Sequence, residues 1–184
     1  VIGIEDVTGD GVPDALAGAS NSQETQGKVY CINGASGNFF WSLTTTGSSV
    51  WALEQLDDIN GDGVKDIIYG DFGGYIELIS GATGANLGYS SVGPNLILRL
   101  VKVDDINGDG QVDLVLSMGA VTEANATYPN IIVVKDGKTK TLIGHSFVSF
   151  QSGFDGSDVS KYDGGDTPIA VGNFLGEDAG DLIA

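Results

Sequence analysis

The chain has 184 residues, 41% of them apolar, with 29 glycines and only 4 prolines. That is enough apolar material for the packed core of one ordinary domain, and it excludes a disordered chain. The formal net charge of −17, from 25 acids against 8 lysines and arginines, excludes a basic groove able to follow a nucleic-acid backbone and a face drawn to anionic lipid. No apolar run approaches about 18 residues, so no membrane insertion is expected in this segment.

In chain order, Val1-Ile2-Gly3-Ile4 reads as a short strand running into an acidic stretch, Glu5 and then Asp6-Val7-Thr8-Gly9-Asp10-Gly11-Val12-Pro13-Asp14. An apolar run, Ala15-Leu16-Ala17-Gly18, follows. Residues 27–41 form a hairpin pattern around Asn33-Gly34-Ala35-Ser36-Gly37. Cys31, the one cysteine, sits on it as a buried apolar residue, and Trp41 closes it as a packing residue. The second acidic stretch is Asp58-Ile59-Asn60-Gly61-Asp62-Gly63-Val64-Lys65-Asp66, preceded by Asp57. It leads into Ile67-Ile68-Tyr69-Gly70, then Tyr75-Ile76-Glu77-Leu78-Ile79 and the turn Ser80-Gly81-Ala82-Thr83-Gly84. Residues 96–101 form a strand that feeds the third stretch, Asp105-Ile106-Asn107-Gly108-Asp109-Gly110-Gln111-Val112-Asp113, preceded by Asp104 and followed by Leu114-Val115-Leu116. Asn125-Ala126-Thr127 matches a glycosylation sequon. His145, the single histidine, falls in a β run and reads as structural. Residues 151–167 read as a Gly- and Asp-rich loop. A degraded fourth acidic stretch, residues 173–181, has Leu175 at its third position and is expected to hold no ion. The chain stops on Leu182-Ile183-Ala184.

The three acidic stretches align without gaps, and their starts at Asp6, Asp58 and Asp105 lie 52 and then 47 residues apart. Surface acids of a halophile-like protein have no reason to recur at a fixed spacing. Periods of about 40–50 residues mark propeller blades or solenoid repeats. Every apolar run is short and bounded by Gly or Asn, and none has a helical stripe. The expected fold is therefore all-β. Each repeat has one strand before the acidic loop, one after it, and an outer hairpin, which is a four-stranded antiparallel propeller blade. The expected repeats are roughly 1–51, 52–98, 99–168 and a truncated 169–184. They make three whole blades and the start of a fourth, to be completed by further blades of a longer chain or by other copies.

The chemistry of the loops points to a cation. Three clustered carboxylates repel one another unless a positive charge stands between them. Positions 1, 3, 5 and 9 offer side-chain oxygens: Asp6, Thr8, Asp10 and Asp14; Asp58, Asn60, Asp62 and Asp66; Asp105, Asn107, Asp109 and Asp113. Position 7, which is Val12, Val64 or Gln111, offers a backbone carbonyl. Glycine at position 6 permits the tight bend. With oxygen donors alone the site suits a hard ion, and its many flexible donors suit Ca²⁺ better than Mg²⁺. The pattern begins like an EF-hand loop, but that loop needs a bidentate Glu at position 12. Here position 12 is Ala17, Tyr69 or Leu116, and the flanks are β runs rather than helices.

Through these loops, and through the apolar strand after each, the sequence resembles the FG-GAP (VCBS-like) repeat family, known from the propeller head of integrin alpha subunits. The resemblance covers about three quarters of the chain. It implies one Ca²⁺ per loop, three in all, held in the hairpin that joins the first two strands of a blade. Thr8, a neutral donor, implies that the first site is the weakest. Residues 27–41, echoed by 75–84, more faintly resemble the outer hairpin of quinoprotein-type (PQQ-like) repeats, in which the Trp docks blades.

The expected function is that of a calcium-binding, extracellular or cell-surface module for adhesion, assembly or ligand binding, with a protein or carbohydrate partner and no nucleic acid. Two other readings stay open. One is the propeller portion of a polysaccharide lyase or quinoprotein-type enzyme, for which a cluster of Lys, Arg, His or Tyr on the inner strands would speak; the inner-strand candidates are mainly Ile, Leu and Val, with Arg99 and Lys102 as exceptions. The other is a self-assembling surface or filament subunit, since an incomplete set of blades leaves strand edges to cap.

Overall fold

The computed structural model describes residues 1–92, 96–119, 131–137, 139, 142–147, 170–172 and 181–183. The first sheet is made of β1 (Ile2–Ile4), β2 (Asp14–Ser20), β3 (Gly27–Ile32) and β4 (Phe39–Thr44), in that order and antiparallel throughout. The second repeats the same meander with β5 (Val50–Gln55), β6 (Ile67–Asp71), β7 (Tyr75–Ile79) and β8 (Asn86–Ser91). The third uses β9 (Leu96–Val103), β10 (Asp113–Gly119), β11 (Ile131–Asp136) and β12 (Leu142–Phe147). A final pair, β13 (Ala170–Gly172) and β14 (Asp181–Ile183), is antiparallel as well. Among the described residues the protein is all-β, with antiparallel four-stranded sheets and no helix. The sequon at Asn125 and the loop of residues 151–167 lie outside the described residues. So does the body of the degraded fourth acidic loop, residues 173–180.

Burial along each sheet explains the sequence pattern. The inner pair of the second sheet, β6 and β7, is buried almost throughout, and it reads as near-continuous apolar sequence. The last strands, β4 and β8, alternate between exposed and half-buried positions, and their sequences are mixed. Successive side chains of β6 and β7 point to opposite faces. Ile67, Tyr69 and Ile79 join Ile4, Leu16, Val29 and Cys31 in a core shared with the first sheet. Ile68, Ile76 and Leu78 join Ile97, Leu100, Leu114 and Leu116 in a core shared with the third. The second sheet is thus packed on both faces, and a one-residue slip of β6 would exchange its two sets of partners.

The sheets approach closely because small residues lie where they meet. A Cβ at Gly70 would stand 2.5 Å from Ile97 Cγ2, and one at Gly18 would stand 2.6 Å from Val50 Cγ1. The connection from β4 to β5 is held by buried acids of the second sheet. Asp71 accepts the N–H groups of Ser48 and Tyr75, each at 2.8 Å. Glu77, 2% exposed, accepts the Tyr69 hydroxyl and the Asn86 side-chain amide. Among the described residues, the ion pairs Lys65–Glu5 at 2.8 Å and Lys102–Asp57 at 3.6 Å also cross between sheets. Both are solvated, so each adds little stability.

Candidate metal centre

The three acidic loops occupy the same place in each sheet, between its first and second strands. Each winds round the carboxylate of its first residue. Asp6 Oδ1 accepts the N–H groups of Thr8, Gly9 and Asp10 at 3.1, 2.7 and 3.3 Å, and its Oδ2 accepts that of Gly11 at 2.6 Å. Asp58 accepts those of Gly61, Asp62 and Gly63 at 2.7, 3.1 and 2.8 Å. Asp105 accepts those of Gly108, Asp109 and Gly110 at 2.6, 3.1 and 2.7 Å. The carboxylate at position 5 caps the N–H of position 7, at 2.9 Å in all three copies, which places Val12, Val64 and Gln111 on the same bend. The glycines at positions 4 and 6 carry φ between +78° and +87° in every loop, a region that side chains with a Cβ rarely enter. The sequence pattern singled out the second of these glycines; the first is equally required.

The carboxylate at position 9 closes the loop from below. It is buried in all three copies: Asp14 is 3% exposed, and Asp66 and Asp113 are fully buried. One of its oxygens takes two backbone N–H groups from the start of the loop. These are Val7 and Thr8 at 2.8 and 3.0 Å, Ile59 and Asn60 at 2.8 and 3.0 Å, and Ile106 and Asn107 at 2.7 and 3.3 Å.

In the first two loops the other position-9 oxygen and the position-5 carboxylate meet groups that sequence spacing did not find, and in the third loop the position-3 amide does. These come from the turn of the outer hairpin. Asn33 donates its amide to Asp10 and, at 2.9 Å, to the Thr8 hydroxyl. Ser80 donates to Asp62 at 3.2 Å. Asp136 accepts the Asn107 amide at 3.2 Å. Each stands just before a glycine (Gly34, Gly81 or Gly137) at which a Cβ would collide with the carbonyl of loop position 8, in Pro13, Lys65 or Val112. The Gly34 N–H donates to Asp14 Oδ1 at 2.9 Å, and the Gly81 N–H to Asp66 Oδ1 at 3.2 Å. Asp113 Oδ1 is buried and has no hydrogen-bond partner. The signal in the sequence was a small polar residue followed by Gly at the start of the outer turn, one of several such pairs in each repeat. Its distance from the acidic loop varies, because the intervening strands and turns differ in length.

The electrostatics follow the same geometry. The Gly11 N–H at Asp6 and the Gly110 N–H at Asp105 hold those carboxyls below the usual aspartate range. The Asn60 amide, and then the Val64 N–H, do the same for Asp62. Burial pushes Asp66 up, against the N–H groups it accepts. As the loops are folded here, no three carboxylate, imidazole or thiol groups among the described residues stand within common reach of one ion. Hydrogen-bond donors sit between the carboxylates instead. The Asn60 amide nitrogen lies 2.9 Å from Asp62 Oδ2 and 3.4 Å from Asp66 Oδ1. The residues still fit a hard cation in kind. Every side-chain donor is oxygen, and in the third loop a fully buried carboxylate oxygen has no donor at all, which is costly unless something positive reaches it.

Two other residues singled out in the sequence have plain structural settings. Trp41 donates its ring N–H to the Gly81 carbonyl at 2.8 Å, and its ring covers Gly84, so it packs the first sheet onto the turn of the second. Cys31 is fully buried, and burial pushes its thiol up to about 12. His145 lies on β12 opposite Val133. At the first strands of the three sheets a cavity of about 250 Å³ is lined by Ile2, Trp51, Leu53, Leu98 and Arg99 among others. Most of its lining side chains are aliphatic, although the surface they leave exposed is more polar than apolar, and Lys102 turns to Asp57 instead. No protein-family model matches the chain, and no curated protein matches it either.

Proposed function

We propose that this chain is a calcium-binding segment of a β-propeller that works at the cell surface or outside the cell, in adhesion, assembly or ligand binding. The observation that carries this reading is the recurrence of one loop geometry, carboxylate for carboxylate, at the same corner of three successive four-stranded sheets. The position-9 aspartates are buried in all three loops, and in the third one of its oxygens has no donor, a cost that a cation would relieve. The sheets share apolar faces in chain order, as neighbouring blades do, and the loops join the first two strands of each. Asp6, Thr8, Asp10 and Asp14 would hold one Ca²⁺. Asp58, Asn60, Asp62 and Asp66 would hold a second, and Asp105, Asn107, Asp109 and Asp113 a third. The carbonyls of Val12, Val64 and Gln111 would complete the sets. Binding would require the interposed amides to turn their oxygens inward, a small movement at an exposed loop tip.

The ions would act as clips that fix hairpin tips rather than as reagents, and three dications would bring the formal charge from −17 to −11. The resemblance of the loops to FG-GAP repeats supports a place outside the cell, where calcium modules work at dissociation constants of about 10⁻⁴–10⁻³ M. The ligand would be protein or carbohydrate. Incubation of the full chain with anionic polysaccharides tests this reading: intact polymer is the expected result, and chain cleavage would establish the lyase alternative instead.

A further inference from the structure

The third loop differs from the other two in one respect that its nine-residue pattern does not contain. In each sheet, the strand residue opposite the position-9 aspartate opens the turn of the outer hairpin. In the third sheet that residue is Asp136, in direct register with Asp113. In the first two sheets the registers run to Ala15 opposite Ile32 and Ile67 opposite Ile79, and the residues one step further, Asn33 and Ser80, are neutral. Asp113 is fully buried and Asp136 is 6% exposed. Two buried carboxylates opposite on antiparallel strands are unfavourable neighbours unless a donor or a cation stands between them. One of them, Asp113, has an oxygen with no partner, whereas Asp14 and Asp66 use the same oxygen to accept the N–H of Gly34 and Gly81. Asp136 reaches the loop through the Asn107 amide at 3.2 Å, and its other oxygen caps the Thr139 N–H at 2.6 Å.

We infer that Asp136 is a fourth carboxylate of the third calcium site, and that it makes this site the tightest of the three. The inference rests on the calcium reading above and extends it to a residue outside the acidic loop. Neutral counterparts in the first two sheets leave three carboxylates per site, so the sites are graded by the residue that opens the outer turn. Affinity in oxygen-donor sites rises with the number of charged ligands.

The test is a calcium titration of the chelator-stripped chain, followed through the backbone amides of Gly11, Gly63 and Gly110 by NMR. Each donates to the position-1 aspartate of its own loop and reports one site. Gly110 should saturate first, at roughly tenfold lower calcium than the other two. Asp136→Asn keeps an acceptor for Thr139 but removes the charge; it should raise the Gly110 midpoint roughly tenfold and leave Gly11 and Gly63 in place. Ser80→Asp, the reciprocal change, should lower the Gly63 midpoint. Gly110 titrating no earlier than the others, or neither variant moving its own midpoint, would overturn the role of Asp136 while leaving calcium binding standing. Three amides indifferent to calcium in the native chain would overturn both.

Discussion

Two glycines in one turn should respond very differently to the same substitution. Gly34 and Gly37 both lie in the Asn33-Gly34-Ala35-Ser36-Gly37 turn between β3 and β4. At Gly34 a Cβ would collide with the Pro13 carbonyl oxygen and stand 3.0 Å from its carbon, both of them backbone atoms that cannot rotate away. The turn must then lift off the acidic loop. That costs about 1–3 kcal/mol for overpacking, plus about 1.5–3 kcal/mol for the 2.9 Å hydrogen bond from Gly34 to the buried Asp14 carboxylate. At Gly37 nothing lies within 4 Å of a new Cβ, and only the φ of +71° is unfavourable, worth about 1–2 kcal/mol. A chain of this size loses about 2–4 °C per kcal/mol. Gly34→Ala should therefore melt several degrees below Gly37→Ala in differential scanning calorimetry, and only Gly34→Ala should weaken ion binding at the first loop. Equal melting temperatures for the two variants would refute the contact between turn and loop.

Other outcomes follow from the same contacts. Chelation should lower the melting temperature, by up to about 2.7 kcal/mol of stability per site when calcium stands a hundredfold above its dissociation constant. Asp62→Ala should abolish part of that calcium response in a scanning-calorimetry comparison. Trp41→Phe keeps an aromatic ring but loses part of the indole surface and the bond to Gly81, and should cost at least about 1 kcal/mol, or a few degrees. The pH response of the calcium-free chain has two parts. Burial raises the Asp66 pKa, so the folded state binds that proton more tightly than the unfolded chain does. Stability from this group therefore grows as pH falls toward the unfolded aspartate value of 3.8. Asp6, Asp62 and Asp105 are shifted the other way, so their contribution is present above 3.8 and is lost as pH falls below it. The melting temperature should rise modestly from pH 7 toward 4 and drop below 4, and Asp66→Asn should flatten the rise.

The strands were legible because β periodicity and turn residues are local. Ile67-Ile68-Tyr69 and residues 75–79 fall on β6 and β7, and the strand read from 96–101 continues two residues further, to Val103. The loop ligands were legible because a tight Asp and Gly spacing is itself a geometric constraint. The partners of those loops were not. Asn33, Ser80 and Asp136 reach the site through the register of β2–β3, β6–β7 and β10–β11, and register depends on pairing across a variable gap. The two-sided burial of the second sheet was equally hidden, since Glu77 and Asp71 look like surface residues until Tyr69, Asn86 and Ser48 are seen to bond them.

Calcium stoichiometry tests the central claim most directly. Isothermal titration of the chelator-stripped chain with calcium chloride should give three ions per chain, falling to two in Asp62→Ala. Heat of dilution alone, with no saturable uptake up to several millimolar calcium, would contradict it.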